Sequence, residues 1–176
     1  MKRIFEGKRG QVWVETVIYT LIGLAIIGLV LATAKPKIDD QRSKVSIEQA
    51  IEALGNINNK IFEVQRAAGN QRRIDLKIGK GKFVIDTTED TLSWVLGSTL
   101  EYSEVDSTIS IGSINVTTRE STPYEVELKI GYALDIQYNG QTVGVKEFSE
   151  APIPYVLTIE NMGVIDGNIV ISIREA

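Results

Sequence analysis

The chain has 176 residues, a formal net charge of −4, and neither Cys nor His. These facts exclude thiol nucleophiles, Ser-His-Asp triads, histidine acid–base chemistry and the usual zinc sites. The modest negative charge, with no basic stripe carrying interleaved aromatics, argues against a nucleic-acid partner.

Residues 1–10, MKRIFEGKRG, are short and basic: Lys2, Arg3, Lys8 and Arg9 outweigh Glu6. Residues 16–34 then carry no charge and are mostly Ile, Leu, Val, Ala and Gly. That length approaches the roughly 20 apolar residues that cross a bilayer. The positive-inside rule keeps the basic end in the cytoplasm and translocates the chain beyond Ala34. One charge breaks the pattern. Glu15 sits at the head of the apolar run, where a carboxylate is costly unless it has a partner.

After Pro36 the period becomes helical. Ile47, Ala50, Ile51, Leu54, Ile57, Ile61, Val64 and Ala68 recur at three- and four-residue steps, with polar residues filling much of the remainder. This predicts an amphipathic helix with one face to be covered, stopped near Gly69. Pro36 either ends the first helix or kinks one long helix.

From Arg73 the period becomes two and β-formers dominate. "IDLKIGKGKFVID" reads as a hairpin turning at GKGK. Four further stretches supply strands, and Asn139-Gly140 is the strongest hairpin signal. Seven to nine strands are expected. The fold class is α+β: a long N-terminal hydrophobic and amphipathic helix, then an antiparallel β-rich domain, sandwich or barrel-like. The expected divisions are a 1–10 leader, an apolar helix over 11–34, an amphipathic extension over 35–69 and a β-rich head over 70–176.

Candidate chemistry downstream is sparse. GKGK lacks P-loop spacing and a following helix, so it reads as a turn. Asp86, Glu89 and Asp90 lack calcium-loop spacing and read as a solvated turn. Trp94, Tyr138 and Tyr155 read as core or sheet-face residues. Asn115-Val116-Thr117 is an N-glycosylation sequon on the side of the membrane that the orientation places outside the cell. No pair of carboxylates stands out as catalytic, and no metal or cofactor is expected; the chain is read as a non-enzyme. Ala32-Thr33-Ala34 has the form of a signal-peptidase site, but the apolar run exceeds the usual h-region of about 7 to 15 residues. It also leaves Glu15 unexplained.

Lys8-Arg9-Gly10, then Gln11, then Glu15 four residues further on, then the apolar run, resembles a type IV prepilin signal. The glutamine-first form is similar to the archaeal class III prepilin group, whose common pattern Q-x-S-x-E is departed from at Trp13. The likeness is specific over residues 8–34 and looser over the whole plan. It implies that a membrane prepilin peptidase cuts between Gly10 and Gln11. It implies further that an assembly ATPase and membrane platform move the mature helix from the bilayer into a filament of identical subunits, with the β head outermost. Glu15 is then the fifth residue of the mature chain, on one helix face with Gln11. It can meet the new α-amino group of a neighbour, whose reference pKa is about 7.7 to 8.0. Two other architectures stay open: an uncut single-span surface protein or minor pilin, and a secreted β domain cut after Ala34.

Overall fold

The structure is a computed structural model and describes residues 8–175. It contains one helix, α1 (Lys8–Gln65), followed by β1 (Gln71–Leu76), β2 (Lys82–Asp86), β3 (Thr91–Ser98), β4 (Thr108–Ile111) and β5 (Ile114–Arg119). Then come β6 (Tyr124–Gly131), β7 (Asp135–Tyr138), β8 (Val145–Ser149), β9 (Tyr155–Ile165) and β10 (Asn168–Glu175). The class is α+β with mainly antiparallel sheets, as the periodicity implies. Ten strands form among the described residues, one more than the upper expectation.

The chain divides into two units, Met1–Gln41 and Arg42–Ala176. Within the first, Pro36 lies inside α1, so it does not end a first helix. A proline there removes one backbone bond, the one to the carbonyl of Ala32.

The second unit holds the whole hydrophobic core. Strands order β1-β9-β10-β7 in one sheet and β4-β5-β6-β3-β2-β8 in the other. The two sheets are separate, not one closed barrel. All pairings are antiparallel except β10 with β7. Alternation sets which side chains turn inward. In β6, Val126, Leu128 and Ile130 are buried while Glu125, Glu127 and Lys129 face outward or half-outward. In β2, Phe83 and Ile85 are buried, and in β9, Leu157 and Ile159.

The C-terminal half of α1 contributes the predicted stripe. Ile47, Ala50, Leu54, Ile57, Ile61 and Val64 are each at most 2% exposed, and Ile51 is partly buried against them. Their 3-4 spacing puts them on one side of the helix, and they join the inward residues of both sheets in a single core. The stripe stops at Val64, and Ala68 is exposed past the helix end.

Two hairpin expectations change. Residues 74–86 do not form a hairpin. β1 pairs with β9, whereas β2 pairs with β3 and β8, so the segment around GKGK carries the chain from one sheet to the other. Asn139-Gly140 does make a tight turn with both φ positive, at 49° and 79°, and Tyr138 and Gln141 exchange both backbone hydrogen bonds at 3.1 and 2.9 Å. The ladder ends after that rung, because β7 belongs to the four-stranded sheet and β8 to the six-stranded one. At Asn139-Gly140 the expected tight turn forms, whereas the hairpin expected at GKGK does not; in both places non-local pairing decides the partner strands.

Candidate functional site: the apolar segment and its carboxylate

Among the described residues one helix is long and apolar enough, by length and composition, to cross a membrane. Its apolar window lies in α1 from Trp13 onward and is wholly uncovered. Trp13, Tyr19, Leu24 and Leu29 are between 65% and 72% exposed, and Ile22, Ile26, Ile27 and Val30 about half. Large side chains therefore point outward all round. In water such a surface is unstable; in lipid or among like helices it is at home.

Two threonine hydroxyls in this segment are satisfied within the helix. Thr20 Oγ1 donates to the carbonyls of Thr16 (3.0 Å) and Val17 (2.8 Å). Thr33 Oγ1 does the same to Leu29 (3.2 Å) and Val30 (3.0 Å). This back-bonding lets a threonine sit where water is absent. At Gly23 and Gly28 no atom lies within 4 Å of where a Cβ would stand, so both leave open backbone on the helix surface.

Glu15 is exposed on the same helix. It makes no ion pair or hydrogen bond among the described residues. Lys8, Arg9, Gly10 and Gln11 fall in the first turns of α1, but the readings on their side chains and on the leader lie outside the described residues.

The remaining sequence candidates sit in the head. Asn115 is exposed on β5, and its Oδ1 accepts a hydrogen bond from Ser110 Oγ at 2.8 Å. A glycan would be joined through Nδ2, the other atom of that amide. Asp86 caps the β2–β3 turn: its Oδ1 accepts from the backbone N–H of Thr88 (2.9 Å) and Glu89 (3.1 Å). Asp90 Oδ1 accepts from Ile136 N–H at 2.7 Å. The Asp86 and Asp90 carboxylates thus hold backbone in place, Glu89 enters only through its N–H, and no group of three or more metal-ligating side chains occurs among the described residues. The GKGK segment is packed against β3, where Trp94 Nε1 donates to the Lys80 carbonyl at 3.0 Å.

Trp94 and Tyr138 are buried and Tyr155 half-buried. They belong to an aromatic cluster with Phe83 and Phe148, with ring centroids 5.0 to 6.0 Å apart, two of the four contacts being edge-on. Lys146 lies over Phe148 and Tyr138 at 5.1 and 5.6 Å from the ring centres. Burial, with the nearby Glu175 carboxylate, holds the Tyr138 hydroxyl above its ordinary pKa, and burial alone does so at Tyr132.

Polar contacts that the sequence reading missed fasten α1 to the sheets. Ser43, buried, shares a hydrogen bond with Thr99 and also accepts from its N–H. Asn58 Nδ2 donates to Ser113 Oγ at 3.1 Å. Asn161 Nδ2 donates to the Val64 carbonyl at 3.0 Å, one of the carbonyls a helix end leaves open. Near the same end, Glu63 is held below the usual carboxylate range by its bonds to Arg72 and Lys60. Ser43 and Asn58 were detectable in principle: both fall on the 3-4 stripe among apolar residues, where a polar side chain requires a partner. Comparison with family models, curated proteins and solved structures gives no match for this chain.

Proposed function

We propose that the chain is the subunit of a type IV pilus-like filament of archaeal type, cut after Gly10 by a prepilin peptidase and displayed at the cell surface for adhesion or contact. The observation that carries the reading is a carboxylate, Glu15, without a described partner at the head of an apolar segment uncovered on all sides. A lone anchor in lipid covers the apolar surface but leaves the carboxylate without a partner. A bundle of identical helices covers both, if the Glu15 of one subunit meets the freed amine of Gln11 in the next. The open backbone at Gly23 and Gly28 supports close helix approach in such a bundle. The β head would then form the outer surface, with Asn115 available for glycosylation.

The mature N-terminus tests the reading. Protein recovered from cells should begin at Gln11, and sheared surface material should contain fibres by electron microscopy. Starts at Met1 or Lys35 would instead identify the uncut single-span protein or the secreted domain. Glu15→Ala should leave precursor levels within about twofold while cutting filament yield at least tenfold. Normal filament yield from that variant would remove Glu15 from the assembly contact.

A further inference from the structure

We propose that β4 is a self-pairing edge: the six-stranded sheet of one head joins that of a second copy of this chain through an antiparallel β4–β4 contact. The four sheet edges in the fold are β1, β7, β4 and β8. Edge strands present unpaired N–H and C=O groups, and proteins commonly guard them with charge. β1 carries Arg72, Arg73 and Asp75, β8 carries Lys146 and Glu147, and β7 begins at Asp135. β4 carries nothing of the kind. Its sequence is Thr-Ile-Ser-Ile, and residues 107–118 contain no charged residue and no proline. All four β4 residues are exposed, as are Gly112 and Ser113 beyond them.

The hairpin register shows which backbone groups are free. Ile111 pairs with Ile114 across a two-residue turn, so these two form the hydrogen-bonded pair, and Ile109 with Val116 the next. Thr108–Thr117 and Ser110–Asn115 are the close, non-bonded pairs, consistent with their side-chain hydrogen bonds of 2.8 Å each. The N–H and C=O of Thr108 and Ser110 therefore point away from β5, to the open edge.

This spacing is self-complementary. In an antiparallel pair centred on Ile109, Thr108 of one copy faces Ser110 of the other, and the outward groups of both meet. Ile109 then stands opposite Ile109, on the same sheet face as buried Ile114 and Val116. Ile109 and Ile111 are 39% and 37% exposed, so the contact would cover apolar surface as well as backbone. Charge selects a second copy as the occupant. When a strand pairs with itself about a two-fold, a charge at its centre meets its own sign, which is destabilising. Of the four edge strands among the described residues, β4 alone carries no charged residue, so two copies meet there in any register without like-charge contact. The contact joins heads and needs neither the span nor processing, so it stands or falls separately from the filament reading.

The chain has no cysteine, so single cysteines report cleanly. The full chain in detergent, carrying Ile109→Cys, should form a disulfide-linked dimer under mild oxidation, because residues opposed in a close pair lie about 4.5 Å apart at Cα, inside disulfide range. Val143→Cys, at a still more exposed site off this edge (72% against 39%), is the control. Cross-linking at 109 should be at least tenfold faster. Ser110→Pro in the Ile109→Cys background removes the outward N–H, together with the exposed side-chain bond to Asn115, and should abolish the excess, with the thermal unfolding midpoint checking that the fold is kept. Equal rates at 109 and 143, or cross-linking at 109 that survives Ser110→Pro in a folded chain, would overturn the proposal.

Discussion

Gly81 shows how one residue fixes a sheet-to-sheet crossing. Its φ is +82°, and a Cβ there would lie 2.3 Å from the Val95 carbonyl oxygen and 2.7 Å from Leu96 Cβ. Backbone atoms on a central strand cannot retreat cheaply. Gly81→Ala should therefore destabilise the head by about 2 kcal/mol or more, through strain and displacement together. Denaturant unfolding of the full chain in detergent measures it, and Gly79→Ala, where nothing lies within 4 Å of the added methyl, serves as the mild comparison. The glycines of GKGK were visible in the sequence as turn residues. Which of them is indispensable was not, because the neighbour that forbids a side chain is fourteen residues further along the chain.

At the scale of elements, the helix end and β9 are tied by one buried amide. Asn161 is 3% exposed; its Nδ2 caps the Val64 carbonyl, its Oδ1 accepts from Gly163 N–H at 2.8 Å, and its backbone exchanges bonds with Gly69 and Asn70. Asn161→Leu keeps much of the volume and deletes both side-chain bonds, leaving a buried carbonyl and a strand N–H without them. The expected loss is about 2 to 3 kcal/mol, read as a lower denaturation midpoint with an unchanged slope. The strand stretches and the helical stripe were largely legible, since each obeys a short-range period. The boundaries shifted where long-range bonds intervened: the apolar pattern runs to Ala68, but α1 ends at Gln65 and the chain turns toward β9.

For the whole molecule, the core lies in one unit while the apolar surface of the other stays bare. The fragment 42–176 should be soluble without detergent and unfold cooperatively, because it retains the α1 stripe and both sheets. The fragment 70–176 lacks Ile47, Leu54, Ile57, Ile61 and Val64, each at most 1% exposed in the intact fold. Its sheets would expose the core face and it should aggregate. Circular dichroism and size-exclusion chromatography separate the outcomes. If 70–176 folded as well as 42–176, the amphipathic extension would be dispensable to the head.

The sequence by itself determined the class of each segment. A charge-free run, a 3-4 stripe and a two-residue alternation are local signals, because each reports which faces of its own element must leave water. It also marked Glu15 as a charge that needs a partner. Only the tertiary structure decided that β1 and β2 part company, that the Asn139-Gly140 turn joins strands of different sheets, and that β4 is an unguarded edge. Those features depend on which strands hydrogen-bond across tens of residues, and the period of a strand says which face is buried but not which neighbour lies beside it.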